Sequence, residues 1–495
     1  MGRDAGGFVE HQDRRIFVDN RHIYLAIRQG LGGEPLFRPV KKQHVTGAES
    51  LAFLSDSSID QEKLLADRLF DYLARNVRQT SARERVQADV RRIGWNLPRP
   101  HFITGDLIRH NSYRTIPRNL INRDILMTKN CFSVIIAGGK GTRFWPLSRA
   151  QRPKQLLKIL SRKSLIEETV ERVTSLCGRE QTLVVTISEQ LAALRKELGQ
   201  LPKNNFLAEP EGKNTAPCIG LAALEVTRSR PDAVMIVLPA DHWVADVNKF
   251  RRTLKAATQL AMRTDQLVTI GIRPDYPETG YGYIVKGKAI KGESGAFLVK
   301  RFSEKPDHAA AGRLVRQGSL WNSGIFVWKA AILLELLARY QPNIAHGLDA
   351  IRKQANGKSL ANSDSTLRAA IIREYKKMPN ISIDYAVLEK AGSEGKVLTL
   401  EGDFGWSDVG SWAAAHRMMR KDAQGNAGNG RWLGLASKNC LIHAPDRLVV
   451  LLGIENAVVV DTADALLVGD LRRSQEVREL VDELKRKGFG SLTIK

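Results

Sequence analysis

Between Phe132 and Gln155 the chain reads FSVIIAGGKGTRFWPLSRAQRPKQ, and residues able to do chemistry crowd its middle. Gly138, Gly139 and Gly141 precede Thr142 and Arg143, with Arg149, Arg152 and Lys154 close behind. Such glycines leave few Cβ atoms to hold a ligand away, and successive N–H groups in the turn can converge on one anion. With the surrounding cations, the loop reads as a seat for a polyphosphate. The P-loop pattern does not fit, because Gly141 rather than Ser or Thr follows Lys140, and Pro146 and Pro153 interrupt any immediate helix. The dinucleotide fingerprint fails because Phe144 stands where its third glycine belongs. The alternative is a structural turn with a solvated basic face.

Polyphosphate chemistry calls for a divalent cation that joins and neutralises phosphate oxygens, and Mg²⁺ typically takes one or two carboxylates. Asp241 and Asp408 are the candidates, since each follows a strand-like run and sits among small or turn-forming residues. Either one alone reads equally as a helix cap or turn residue. Glu304-Lys305-Pro306 forms a second constellation at the end of an apparent strand. There a lysine can neutralise a monophosphate while the carboxylate accepts hydrogen bonds from sugar hydroxyls; a surface ion pair is the plainer account. No Ser-His-Asp or Cys-His arrangement stands out.

Val134-Ile135-Ile136 has the apolar, β-branched pattern of a buried strand, which would hold the glycine loop at its end. From Met127 to about Asp422 strand-like and helix-like segments alternate, the signature of βαβ units with a largely parallel sheet. A helix is expected over 164–176, with Ser164 as cap and Glu167 three residues on. Strands are expected over 182–187, 205–208, 233–238 and 267–272, and a helix over 215–227. Sheets of this kind bind ligands beyond the carboxyl ends of their strands, which is where Asp241 falls. Beyond Gly425 short apolar runs at 440–443, 448–452, 457–462 and 465–468 suggest a small all-β unit. A last helix over 474–487 places Val477, Leu480, Val481 and Leu484 on one face, with Gly488 as its stop. No internal repeat is evident.

Residues 1–126 differ. Their lysines are only Lys41, Lys42 and Lys63 among many arginines, and their one periodic element is a helix over about 60–92. This stretch reads as an N-terminal extension, more simply explained by a start codon chosen too far upstream than by a native domain. The expected division is thus 1–126, a 127–422 catalytic domain and a 423–495 β domain with a terminal helix.

The chain has 495 residues, 43% of them hydrophobic, and a formal net charge of +23. No apolar run approaches the roughly 20 residues needed to cross a bilayer, and the N-terminus lacks an apolar signal core, so a cytoplasmic protein without a membrane partner is expected. Cys131, Cys177, Cys218 and Cys440 lie far apart, which indicates neither a zinc site nor a disulfide framework. The cations are scattered without an arginine-rich tract, so anionic small molecules explain the charge and nucleic acid is not an expected partner.

Assembled in order, AGGKGTRFWPLSRAQRPKQ, AEPEGKNTAPCIGLAA, VLPADHWV, ETGYGYI, FSEKPD, WNSGIFVW, SIDYAVLEKA and GWSDVGSW resemble the mannose-1-phosphate guanylyltransferases, or GDP-mannose pyrophosphorylases, of the sugar-phosphate nucleotidyltransferase family. The resemblance spans Met127 to Trp412, with a tail like the family's C-terminal β portion, and does not reach residues 1–126. It implies a Rossmann-like α/β nucleotidyltransferase domain with a mostly parallel sheet, followed by a small β-helix-like domain. It implies transfer of GMP from GTP to α-D-mannose 1-phosphate with Mg²⁺. Gly138, Gly139, Gly141 and Thr142 would wrap the nucleotide, and Asn214 and Thr215 would contact the nucleoside. Arg143 would stabilise departing pyrophosphate, Lys154 would hold phosphate near the transferred centre, and Asp241 and Asp408 would carry the metal. Gly282, Glu304, Lys305 and Asn322 would form the sugar-phosphate side. The alternatives are another sugar 1-phosphate, or a non-catalytic relative that binds sugar nucleotide. Because the chain stops at Lys495, transferase activity alone is expected, without the isomerase domain of some relatives. A homodimer through the β tail and last helix is expected from apolar faces too large for so small a unit to bury.

Overall fold

The computed structural model describes residues 7–11, 14–18, 22–27, 38–41, 130–139 and 141–494. The chain divides into two compact units, Met1–Thr115 and Ile116–Lys495.

In the first unit, β1 (Gly7–His11), β2 (Arg14–Val18), β3 (His22–Ile27) and β4 (Arg38–Lys41) form a four-stranded antiparallel sheet in that order. Sequence reading finds no strand there, because charged residues and histidines interrupt the alternation in runs of four to six residues. The helix expected over 60–92 lies outside the described residues. A chain beginning at Met127 is expected to fold and to keep its turnover. Insolubility, or loss of activity beside the full chain, would show that the first unit is needed.

The second unit is built on nine strands: β5 (Cys131–Ile136), β6 (Thr182–Ile187), β7 (Phe206–Glu209), β8 (Val234–Pro239), β10 (Leu267–Ile272), β11 (Tyr283–Ala289), β12 (Ala296–Ser303), β13 (Leu320–Lys329) and β14 (Val397–Gly402). They lie side by side in the order β10-β14-β12-β11-β13-β8-β5-β6-β7. Strands β8, β5, β6 and β7 run parallel, as do β10 and β14, while β13, β11 and β12 introduce antiparallel pairs. Successive strands fall on one side of β5 as far as β7, and then β8 returns on the other side. That reversal opens a crevice at the carboxyl ends of β5 and β8, where the glycine loop and Asp241 begin.

Helix α1 (Leu165–Cys177) starts as expected: Ser164 Oγ accepts from the Glu167 N–H while Glu167 accepts from the Ser164 N–H. Helix α2 (Thr215–Ser229) is buried along most of its length against one sheet face, together with the helices Ala330–Tyr340 and Pro342–Ala355. Helices α1 and Val247–Thr264 cover the other face. All four cysteines are buried and free, with the Cys131 and Cys177 sulfurs 2.8 Å apart.

Two short strands lie apart from the main sheet, β9 (Trp243–Val244) and β15 (Trp406–Ser407), and they pair antiparallel with Ser407 opposite Trp243. Every residue they join is two or three positions from Asp241 or one or two from Asp408. The tertiary consequence is that two aspartates far apart in the chain face one crevice.

The C-terminal sheet is β16 (Ala427–Leu435), β17 (Leu441–Leu452), β18 (Ala457–Asp461) and β19 (Leu466–Asp470), with β16, β17 and β18 parallel and β19 antiparallel to β18. The runs at 440–443 and 448–452 are one strand, not two, since both pair with β16 on either side of a register shift at Gly430 and Arg431. Strand β16 escapes the sequence pattern because three glycines dilute it. The terminal helix α3 (Val477–Arg486) buries Val477 and Val481, but Leu480 is exposed, contrary to the face expected for it. Val477, Val481 and Leu484 pack with Phe144, Trp145, Leu157 and Trp412, so the apolar side of α3 covers the segment that follows the glycine loop. The Trp145 indole donates to the Leu492 carbonyl at 3.0 Å, and Ala150 and Gln151 donate to Thr493 and Ile494.

Candidate active site

Lys154 is the hub of the crevice. Its side chain is 8% exposed, and Nζ donates to Asp241 Oδ2 at 2.7 Å and to the Asp408 carbonyl at 2.6 Å. Gln155 fixes the segment from beneath by donating to the Ala137 carbonyl and to Gln190. Gly141 lies over Lys154 so closely that a Cβ there would stand 2.2 Å from Lys154 Cβ, and its φ of +61° is left-handed. Glycine is therefore required at 141 on two independent counts. Gly138 lies beside Glu209, a buried carboxyl that accepts from the Tyr375 hydroxyl and is raised by its burial.

Asp241 follows β8, and α1 holds its surroundings: Arg172 donates to the His242 carbonyl at 2.8 Å, and Thr169 to the Ala240 carbonyl at 3.2 Å. Burial opposes ionisation of Asp241, but Lys154 and His242 beside it outweigh this and hold the carboxyl below its usual range. His242 accepts from the Trp406 indole at 3.1 Å, and burial lowers it to about 4, so it is neutral at physiological pH.

Asp408 Oδ1 accepts from the Tyr281 hydroxyl at 2.7 Å and from the Gly410 N–H at 3.0 Å. Burial and the nearby carboxylate push the Tyr281 phenol far up, so it stays protonated and donates. Val409, next in the chain, has φ of +48°, a costly conformation for a β-branched residue and one found mainly where surrounding structure enforces it.

The residues expected to form a sugar-phosphate side also come together. A Cβ on Gly282 would meet Glu304 Oε2 at 2.6 Å, and the Asn322 N–H donates to the Gly282 carbonyl at 2.8 Å. Glu304 pairs with Lys305 at 3.0 Å; the Lys305 side chain is 66% exposed and its φ is +44°. Asn214 caps α2 by accepting from the Thr215 N–H, while the Thr215 hydroxyl accepts from the Ile383 N–H. Arg143 lies in the turn after Gly141, and Lys140 lies outside the described residues.

Sequence reading missed Tyr281, Arg172, His242 and Asp384. Tyr281, His242 and Asp384 each sit inside a stretch that carries the family resemblance, which was their only signal. Arg172 had none, because a buried arginine on an amphipathic helix looks like any solvated cation.

The geometry fits a divalent cation. Asp241 and Asp408 flank one crevice, and Asp408 Oδ2 has no hydrogen-bond partner among the described residues. Two carboxylates suit a hard ion whose remaining ligands are phosphate oxygens and water.

A parallel-stranded crevice, a required glycine against a buried lysine, and two strand-end aspartates form the candidate site, and the nucleotidyl transferase family model matches residues 132–425. The chain belongs to that family and, within it, to the mannose-1-phosphate guanylyltransferases. It is 40% identical over 358 residues to the Escherichia coli mannose-1-phosphate guanylyltransferase, covering 71% of this chain and 74% of the relative. It is also 40% identical over 363 residues to the xanthan biosynthesis protein XanB of Xanthomonas campestris, covering 73% and 74%. The crystal structure described as mannose-1-phosphate geranyltransferase from Thermus thermophilus matches with a TM-score of 0.64 and 34% identity, over 72% of this chain and 99% of that one. Residues 430–484 match a MannoseP isomerase/GMP-like beta-helix domain.

Proposed function

We propose that this chain transfers GMP from GTP to α-D-mannose 1-phosphate, releasing pyrophosphate and GDP-mannose. The observation that carries the reading is the Lys154 ammonium held between Asp241 and Asp408 directly beneath Gly141. A sugar-phosphate oxygen is already anionic and attacks without a general base, so positioning and charge neutralisation must supply the rate. The oxygen attacks the α-phosphorus in line, its new O–P bond forms as the bond to the β-phosphate bridge breaks, and the electron pair leaves with pyrophosphate.

In this reading the backbone of Gly138, Gly139 and Gly141, with Thr142, holds the polyphosphate, and Asn214 and Thr215 lie on the nucleoside side. Lys154 meets the α-phosphate and Arg143 the leaving pyrophosphate. Asp241 and Asp408 would hold Mg²⁺, which when bound neutralises phosphate charge. Lys305 meets the phosphate of the incoming sugar, while Gly282, Glu304 and Asn322 face its hydroxyls.

The test is pyrophosphate release with Mg²⁺ across a matrix of nucleoside triphosphates and sugar 1-phosphates. GTP with mannose 1-phosphate should be fastest; preference for another sugar would reassign the substrate, and no release with any pair would leave a binding protein. Within that assay Lys305→Ala should raise KM for mannose 1-phosphate about tenfold, the value of one charge-assisted contact, with KM for GTP unchanged. Its exposure makes the ion pair with Glu304 nearly dispensable to the fold. Equal losses for both substrates would remove Lys305 from the sugar side.

A further inference from the structure

Ser382-Ile383-Asp384-Tyr385 enters the crevice on the sugar side, and Asp384 is a charged group there with no part in the steps above. Its backbone is held from α2, because the Ile383 N–H donates to Thr215 Oγ1 at 2.8 Å and the Ala216 N–H donates to the Ile381 carbonyl at 3.1 Å. A π-helical turn, Asp384–Leu388, follows and points the Asp384 carboxylate at Asn322.

The Asn322 amide is specified on both ends. Its Oδ1 accepts from the Gly324 N–H at 3.2 Å and from the Thr269 hydroxyl at 3.3 Å. Its Nδ2 donates to Asp384 Oδ1 at 2.8 Å. A backbone N–H can only donate and a carboxylate only accept, so a flipped amide would face donor to donor at one end and acceptor to acceptor at the other. One Nδ2 proton is thereby spent on Asp384. The other remains for a ligand.

We propose that Asp384 is a positioning residue for sugar recognition: by accepting one Nδ2 proton of Asn322 it aims the second at a hydroxyl of the sugar 1-phosphate, and so sets selectivity among sugars. This rests on the sugar-side reading given above. Two further carboxylates face Asp384, Glu304 from the loop after β12 and Glu389 from the following helix. Burial first, and then these like charges, raise Asp384 to about 6 against the hydrogen bond from Asn322. Protonation would weaken that hydrogen bond, so use of the sugar should decline as pH falls through this range, the carboxylate being the competent form.

The experiment measures KM and kcat for mannose 1-phosphate, its C2 epimer glucose 1-phosphate, and GTP, from pH 5 to 8, in Asp384→Ala, Asp384→Asn and Asn322→Ala. Asp384→Ala should raise KM for mannose 1-phosphate about tenfold, the value of one well-made hydrogen bond, narrow the preference for mannose over glucose, and leave KM for GTP unchanged. Asp384→Asn keeps an oxygen that accepts from Asn322, so it should restore most of the affinity and flatten the acid limb of kcat/KM. Parallel loss for sugar phosphate and GTP in Asp384→Ala would mark a structural role and overturn the proposal. Normal sugar use in Asp384→Ala beside impaired Asn322→Ala would overturn the proposal alone. Normal sugar use in Asn322→Ala would overturn the sugar-side reading and the proposal with it.

Discussion

Asp241→Asn is expected to lower Mg²⁺-dependent pyrophosphate release by about a hundredfold or more, the scale seen when one preorganised electrostatic group is removed from a transition state. The asparagine keeps an oxygen to accept from Lys154 Nζ but lacks the charge that a divalent ion and the ammonium both require. Burial of Lys154 makes the residue sensitive to its partner: with the carboxylate gone, the ammonium keeps two neutral acceptors, the amide oxygen and the Asp408 carbonyl, but loses its counter-charge. The stability cost should be about 1–3 kcal/mol, that of weakening one buried polar contact, so the folded baseline by circular dichroism should be retained. Raising Mg²⁺ should recover part of the lost rate if the defect lies in metal affinity. Near-normal turnover at ordinary Mg²⁺ would remove Asp241 from the site.

Gly141→Ala is expected to have a comparable effect for a different reason. A left-handed alanine costs about 1–2 kcal/mol in the backbone alone. The new methyl would also meet Lys154 Cβ at 2.2 Å and the Lys154 backbone nitrogen at 2.9 Å, so either the loop lifts or the lysine shifts. A displacement of about 1 Å at a positioned group can cost about a hundredfold in rate. The loss should fall mainly on kcat, since the polyphosphate still meets the other loop amides. Gly139→Ala is the comparison for crowding, because a Cβ there meets nothing within 4 Å among the described residues and the residue has no left-handed φ. Equal activities for the two variants would show that the crowding at Gly141 has no catalytic consequence.

The elements around the candidate site were legible wherever their pattern is local in sequence. Val134 to Ile136 forms the buried strand that its apolar run predicts, and the glycine loop breaks at its carboxyl end. The Ser164 and Glu167 spacing produced the capping box that starts α1. The sheet beyond β8 was harder to read. Strands β11, β12 and β13 are amphipathic or interrupted by glycine, and their direction depends on which edges remain open rather than on their own residues. The last helix shows the same limit: its apolar residues were visible, but whether Leu480 or Leu484 faces inward depended on where Trp145 and Trp412 stood.

What the sequence determined by itself was the set of candidate groups, the strand that ends in the glycine loop, and the family. These follow from periodicity, propensity and turn chemistry acting over a few residues. Only the tertiary structure decided which groups meet. Lys154 and Asp241 are 87 residues apart, and Lys154 and Asp408 are 254 apart. Strand order brings the first pair together, and the two-residue ladder of β9 with β15 brings Asp408 beside them. The orientation of the Asn322 amide likewise depends on Thr269, Gly324 and Asp384, contributed by separate segments. Local pattern specifies an element because its interactions close over short loops. Contacts between elements are selected by the summed packing of the whole core, and no single stretch of sequence contains that sum.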